Sequence, residues 1–487
     1  MTSNAIRFLR RGKVVELGNV PPMRTVLDHL RLDEKSMGTK EGCNEGDCGA
    51  CTVAIGSLKG GKVVYEPVNA CILLVAQLHG KELVTVDDLA EGPKLHPVQK
   101  AMVAKHGSQC GFCTPGFIMS LFTLYHAGRR PTRQEIVDHI AGNLCRCTGY
   151  RPIVDAAIAS CNGRAADRWA KGASEVADQL ASLADDKDVL VGDAMSFVAV
   201  PSSAATLASL YAENPDATIV AGNTDVGLWI TKQLRTLPKI ICLGNVKELH
   251  GIDDGGTQLS LGAAVTYAEA ESCLAGIDPD IGEVLRRIGS KQVRALGTIG
   301  GNVANGSPIG DMPPMLIALG AELELRHGGA NRSLPVENFF LSYGKQDRKP
   351  GELVWRINVP RLAANQRFRA YKISKRFDQD ISAVMAAFKI TLEGETIAAA
   401  RIAFGGLAAV PKRALETERA LVGLSLANET GWQRAVDALA ADYAPISDMR
   451  ASASYRLEVA QGLLRKALLE LSGQAGTRVV GDRGEAA

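Results

Sequence analysis

The sequence predicts a multidomain α+β protein, and three observations lead there. At 487 residues the chain is too long for a single hydrophobic core. Its composition, 46% hydrophobic and 22% charged, is that of an ordinary globular protein. Its texture changes several times: short strands first, then helical spacing, then strands alternating with helices and glycine turns, and finally longer strands followed by helices.

In order along the chain, residues 5–17 read as two short strands around a turn at Arg11-Gly12. Thr25 to Leu32 reads as a short helix, with Thr25 as N-cap and Val26, Leu27 and Leu30 on one face. A glycine-rich loop from Gly42 to Cys51 precedes strand-like sequence at Thr52–Ile55 and Lys62–Glu66. From Asp87 to Ala159 the apolar positions Val98, Met102, Ile118, Leu121, Leu124, Ile136 and Ile140 recur at helical spacing. Strands are expected at Thr218–Ala221, Ile240–Leu243 and Gln258–Leu261. These shifts place boundaries at 1–86, 87–162, a linker at 163–191, 192–366, 367–473 and a disordered tail at 474–487.

The net charge is +2, from 55 basic and 53 acidic residues, which gives no electrostatic footprint for nucleic acid or an anionic membrane. The N-terminus lacks a secretory pattern and no apolar run approaches the roughly 18 residues of a membrane helix, so a cytoplasmic protein is expected.

Cysteine placement carries the chemistry. Eight of eleven cysteines fall between Cys43 and Cys147, and clustering in a long chain points to metal rather than disulfides. Cys43, Cys48 and Cys51, with Cys71 beyond, have the C-x4-C-x2-C…C spacing of plant-type 2Fe-2S ferredoxins. Three thiolates converging from one short loop need tight left-handed turns, which the interspersed glycines allow. The spacing does not suit a zinc knuckle. Cys110 and Cys113, with Cys145 and Cys147, form a second set at predicted helix ends; taken alone, this set also suits zinc. Cys161, Cys242 and Cys273 match no ligand pattern and read as buried thiols, and His106 and His126 as packing or surface residues.

No G-x-G-x-x-G or Walker A string occurs. Two other glycine loops stand out: Ile219-Val220-Ala221-Gly222-Asn223-Thr224-Asp225-Val226, directly after a strand, and Thr298-Ile299-Gly300-Gly301-Asn302, leading towards Asp311. Small residues let the backbone approach a diphosphate, and Asp311 offers an acceptor to a ribityl hydroxyl. Read in isolation, glycine-rich loops of this kind are mostly plain turns.

The loop Gly42–Cys51, the string Gln-Cys-Gly-Phe-Cys-Thr-Pro-Gly from Gln109 and the string Asn-Leu-Cys-Arg-Cys-Thr-Gly-Tyr-Arg from Asn143 resemble the molybdenum hydroxylases, a family that includes xanthine dehydrogenase, aldehyde oxidase and aerobic carbon monoxide dehydrogenase. The resemblance implies a β-grasp ferredoxin domain, a four-helix 2Fe-2S domain, an α+β FAD-binding domain and a small α+β C-terminal flavoprotein domain recognisable by Ala403-Phe404-Gly405-Gly406-Leu407-Ala408. It implies two 2Fe-2S clusters on the eight cysteines, with Gln109 and Cys147 near the partner's pterin. It also implies FAD held by residues 219–226, Thr298 to Asn302, Asp311, Val354 and Lys372. At Ile288 the mammalian xanthine dehydrogenases place a phenylalanine against the flavin, so a stacking role is lost there. Around Phe377-Asp378-Gln379-Asp380, where mammalian members help receive NAD, Asp380 is kept and Phe377 and Gln379 differ.

Clusters and flavin on one chain without a molybdenum domain are similar to the small subunit of bacterial xanthine dehydrogenases. That likeness implies a molybdenum-cofactor partner, an α2β2 heterotetramer, and electrons passing one at a time through the Cys110 and then the Cys43 cluster to FAD and on to NAD. Other readings remain: a hydroxylase of aldehydes or N-heteroaromatics, a freestanding NADH oxidoreductase, and a zinc-bound scaffold.

Overall fold

The structure is a computed structural model and describes residues 2–473 and 477–478. The chain forms two compact units, one of Met1–Lys247 with Gly289–Gly297, the other of Glu248–Ile288 with the residues from Thr298 onward. The stretch 192–366 is thereby shared between the units.

In the first unit, two-residue turns shape the N-terminal sheet. Arg11 and Gly12 take φ of 52° and 72°, the left-handed pair whose twist suits a hairpin, and join antiparallel strands Ile6–Arg10 and Lys13–Leu17. A second hairpin pairs Thr52–Lys59 with Lys62–Asn69. Strand Glu82–Val84 lies between the hairpins, parallel to Ile6–Arg10 and antiparallel to Thr52–Lys59. Thr25 caps its helix as the sequence predicts, its Oγ1 accepting from the Asp28 amide at 3.1 Å. After Val26–Asp28, however, the backbone widens into a π turn at His29–Asp33, with Val26, Leu27 and Leu30 buried on the sheet.

Four helices follow: Pro97–Ala104, Thr114–Tyr125, Arg133–Ile140 and Arg151–Ser160. All seven apolar positions picked out by their spacing are buried in one core. The stretch 163–191 is structured, with helices Arg168–Lys171 and Ala173–Leu183 leading to strand Asp188–Gly192. Leu180 and Leu183 bury against Leu9 of the first sheet. The Asp167 carboxylate takes Nε2 of both His96 and His126 at 2.8 Å, so His126 is a satisfied packing residue. Only Val189 and Val191 of the last strand point inward, too brief an alternation to read from sequence. It pairs antiparallel with Phe197–Val200, beyond which Lys239–Cys242 and Thr218–Val220 add in parallel.

The second unit holds an antiparallel sheet in the order Ile252–Asp254, Gln258–Gly262, Leu353–Pro360, Glu322–His327, Ala330–Pro335. A further sheet of Gln366–Ile373, Val384–Glu393, Thr396–Gly405 and Lys412–Arg413 is backed by helices Leu415–Leu421, Gln433–Asp442 and Ala453–Leu471 around Phe388, Phe404, Trp432 and Leu464. Helix Met312–Leu319 is buried along its whole length and packs on Val384–Glu393 and Thr396–Gly405. Its prolines fall in the first turn, where amides lack intrahelical partners. The tail read as disordered, 474–487, lies outside the described residues except for Thr477 and Arg478; Arg478 pairs with Asp280 at 2.7 Å and Glu470 at 2.6 Å. Among the described residues no helix is long and apolar enough to cross a membrane.

His79 is 3% exposed, and its Nδ1 accepts the Arg7 amide at 3.1 Å. Burial first, then the charges of Arg7 and Lys81, push its pKa down to about 4. Its neutral form is favoured by folding, so its stabilisation is complete above the ordinary histidine value and is lost as pH falls through 4. Calorimetry across this window should show the first unit weakening by up to ~1.4 kcal/mol per pH unit from this group. His79→Asn, whose amide oxygen can accept the same bond, should flatten that slope.

Candidate cofactor sites

The loop Gly42–Cys51 bends through positive φ at Asn44, Gly46 and Gly49, and these bends turn its amides inward. The Cys43 amide donates to Cys48 Sγ and the Cys48 amide to Cys43 Sγ, each at 3.3 Å. The Cys48 side chain first, then backbone amides of the loop, hold the Cys43 thiol well below the usual range. Cys51 and Cys71 are buried, and Cys51 Sγ lies 3.9 Å from Asn69 Oδ1.

The second set is Cys110, Cys113, Cys145 and Cys147. Cys113 immediately precedes helix Thr114–Tyr125, and Cys145 and Cys147 lie just before helix Arg151–Ser160. Thr148 Oγ1 lies 3.2 Å from Cys145 Sγ, and the Tyr150 hydroxyl accepts the Cys145 amide at 2.9 Å. Cys110 and Cys147 are exposed, as are Phe112, Leu144 and Tyr150. Among the described residues no three His, Cys, Asp or Glu side chains are placed to hold one metal ion. Two sets of four cysteines, the first with loop amides donating to sulfur, suit a pair of two-iron clusters.

The two loops touch through backbone. A Cβ on Gly49, whose φ is +67°, would lie 2.1 Å from Gly142 O, and one on Gly116 would lie 2.2 Å from Gly49 O. The Leu144 amide donates to Cys48 O at 3.0 Å. Asn143, 1% exposed, donates through Nδ2 to Gly49 O at 3.0 Å and to Thr52 Oγ1 at 3.1 Å, while its Oδ1 accepts from Ser120 Oγ and Gln292 Nε2.

The loop 219–226 leaves strand Thr218–Val220 and enters helix Val226–Thr231 within the same unit. At Gly222 a Cβ would sit 1.9 Å from Leu296 O, so only glycine fits without moving the chain. Asn223, at φ 59° and 4% exposed, donates to Ile72 O at 2.5 Å, one residue from Cys71; its Oδ1 is buried and has no partner among the described residues. Gln77 Nε2 donates to Ala221 O at 2.9 Å. Burial raises the pKa of Asp225.

In the second unit Thr298 caps helix Ile299–Asn305, its Oγ1 accepting from the Gly301 amide at 2.9 Å. This helix packs on strand Leu353–Pro360, which carries the buried Val354. Asn302 Oδ1, like that of Asn223, is buried without a partner among the described residues. Asp311 and Lys372 are brought together: Lys372 Nζ lies 2.5 Å from Asp311 Oδ2 and 3.0 Å from Ser382 Oγ, and Ser382 Oγ donates to Asp311 Oδ1 at 2.5 Å. Ser382, 1% exposed, was missed because no spacing links it to either partner. Arg287 was missed as well: it reaches Lys372 O at 3.0 Å and Phe377 O at 3.2 Å, with its guanidinium over the Phe377 ring. Ile288, beside it, is half-buried, and Asp380 is engaged by Arg376 at 2.9 Å. In each unit a glycine loop beside a buried asparagine acceptor suits a ligand that brings hydroxyl donors.

Family models match along the chain. Residues 10–76 match a 2Fe-2S iron-sulfur cluster binding domain and 85–158 a 2Fe-2S binding domain. Residues 193–362 match the FAD binding domain in molybdopterin dehydrogenase and 369–471 the CO dehydrogenase flavoprotein C-terminal domain. The chain is 33% identical over 469 residues to the xanthine dehydrogenase/oxidase of Rattus norvegicus, a match covering 86% of this chain and 35% of the rat protein. The chain thus spans about a third of the length of the curated relatives it matches. Among solved structures, the Cu,Mo-CO dehydrogenase in its cyanide-inactivated form is 30% identical with a TM-score of 0.53, covering 57% of this chain and 97% of that one. The chain belongs to the molybdenum hydroxylase family. Quinoline 2-oxidoreductase from Pseudomonas putida 86 is similar too, at 28% identity and a TM-score of 0.52, covering 58% of this chain and 98% of that one. Within the molybdenum hydroxylases this chain is an iron–sulfur and FAD component for electron transfer.

Two substitutions probe this geometry. Gly49→Ala combines a left-handed φ with a backbone clash and should cost at least ~1–3 kcal/mol, read as a lower thermal midpoint together with lost iron. Asp311→Asn leaves the Lys372 ammonium buried without its counter-charge and should cost ~3–5 kcal/mol in urea unfolding, of which the double variant with Lys372→Met recovers at least half.

Proposed function

We propose that this chain is the iron–sulfur and FAD subunit of a xanthine dehydrogenase, assembled as an α2β2 heterotetramer with a subunit that carries the molybdenum cofactor. The observation that carries the proposal is the 33% identity to a xanthine dehydrogenase/oxidase over 86% of the chain.

On this reading Cys43, Cys48, Cys51 and Cys71 would hold the first cluster, and Cys110, Cys113, Cys145 and Cys147 the second. Residues 219–226, Ile288, Thr298 to Asn302, Asp311, Val354 and Lys372 line the FAD site. Bound there, two-iron clusters would supply one-electron transfer and FAD the two-electron chemistry that reduction of NAD needs. The chain's own residues supply position and field. Amides of the 42–51 loop face the sulfurs, which favours added negative charge there. The Lys372 ammonium, fixed by Asp311 and Ser382, brings a positive charge to the flavin side. Exposed Phe112, Leu144 and Tyr150 beside Cys110 and Cys147 support a docking face for the molybdenum subunit.

A second reading keeps the subunit and changes the substrate. The likeness to quinoline 2-oxidoreductase favours an N-heteroaromatic hydroxylase, because substrate choice would belong to the partner.

The purified chain should be red-brown, with about four irons and one FAD per chain by elemental and flavin analysis. Co-expressed with its molybdenum partner, it should reduce NAD when xanthine is supplied. A colourless, zinc-loaded protein would sink the cluster assignment. NAD reduction with quinoline-type heterocycles and not with xanthine would select the second reading.

A further inference from the structure

Arg456 stands near the start of helix Ala453–Leu471 in the second unit and is 2% exposed. Its guanidinium binds three acceptors. Nη1 donates to Ala383 O at 2.5 Å and to Gly406 O at 2.8 Å, and Nη2 donates to Asp448 Oδ1 at 2.7 Å. Asp448 supplies the counter-charge; the two carbonyls supply none, yet both bonds of Nη1 go to them.

Both carbonyls belong to the segments that hold Asp311, Lys372 and Ser382 together. Ala383 directly follows Ser382, whose Oγ donates to Asp311 Oδ1 and lies 3.0 Å from Lys372 Nζ. The Ala383 amide donates to Ile373 O at 2.8 Å, one residue beyond Lys372. The Gly406 amide donates to Pro308 O at 2.8 Å, three residues before Asp311. Gly406 takes φ of +84°, and a Cβ there would lie 2.3 Å from Ala383 O, so these backbones meet with no side chain between them. A single nitrogen of Arg456 ties the segment carrying Ser382 to the one that holds the approach to Asp311.

The arginine is a costly way to pack a helix. Its Nε is buried with no partner among the described residues. An apolar side chain would seat the helix without that desolvation. What the guanidinium adds is a planar fork that spans both carbonyls and Asp448 at once, which a lysine ammonium cannot do.

We infer that Arg456 is a positioning residue for the flavin, fixing the Asp311 carboxylate and the Lys372 ammonium through the Ala383 and Gly406 peptides. The inference rests on the FAD reading above. The hydrogen bonds of Arg456 run to two carbonyls and Asp448, so its contribution passes through backbone rather than through contact with the ligand.

The test is FAD affinity, read from flavin fluorescence, on the full chain carrying its iron and stripped of flavin. Misplacing one charge-assisted hydrogen bond to the ligand corresponds to about a tenfold loss. Arg456→Met should therefore raise the FAD dissociation constant about tenfold, and Arg456→Lys, which keeps one carbonyl, should raise it less. Leu464→Ala opens a cavity in the core beneath the same helix. It should lower the thermal midpoint and leave the FAD dissociation constant in place. An unmoved dissociation constant in folded Arg456→Met overturns the inference, as does an equal loss of FAD affinity in Leu464→Ala at a matched thermal midpoint. If Arg456→Met does not fold, Arg456→Lys is judged by the same two comparisons. Failure of the FAD reading is separately visible: the double variant Asp311→Asn with Lys372→Met would then bind FAD as tightly as the unsubstituted chain.

Discussion

Backbone contact between the two cysteine loops is the constraint on which the first unit is built. Gly49 lies against Gly142 and Gly116 at distances that admit no side chain, and the Leu144 amide closes on Cys48 O. With no flexible side chain between them, the loops cannot slide independently, and eight thiols are fixed by one junction. Around it the protein spends buried polar groups, Asn143, Thr52, Ser120 and Gln292, where an apolar core would have been simpler. They are tolerated because almost every hydrogen among them has an acceptor, the condition under which buried polarity stays affordable.

The glycine loops obey a related rule. Gly222 presses on the Leu296 carbonyl, and Asn223 ties its loop to Ile72, next to Cys71. In the second unit the buried helix Met312–Leu319 anchors Asp311 at its start, where Lys372 and Ser382 meet the carboxylate. In both units regular elements bring a few polar atoms to fixed places and leave an asparagine oxygen facing no donor among the described residues. Such an acceptor is costly in a finished core and natural in a site made for a ligand.

Local features were legible in the sequence because local physics dictates them. The Arg11-Gly12 turn, the Thr25 cap and the helical spacing from Val98 to Ile140 each depend on neighbours within a few residues, and each is present. The fold class followed from these textures. Among the candidate site residues, the cysteine spacings were visible because ligands from one loop must be near in sequence. What stayed hidden depends on distant partners. Strand Asp188–Gly192 exists through pairing with Phe197–Val200 and offers only two inward residues. The π turn after Asp28 leaves the helical pattern of apolar residues almost unchanged. Ser382 and Arg287 gain meaning only once Lys372 is beside them, and Gln292 only beside Asn143, 149 residues away in sequence.

The nine residues Gly289–Gly297 belong to the first unit although the chain on either side of them belongs to the second. Gln292 and the Leu296 carbonyl both lie in this short return. The two units are therefore threaded rather than strung in series, and no single break in the gene separates them intact. A fragment ending near Lys247 would keep all eight clustered cysteines yet lose the backbone that Gly222 rests on and the amide behind Asn143. Shuffling of cluster and flavin modules between proteins would have to carry this return along, or replace it.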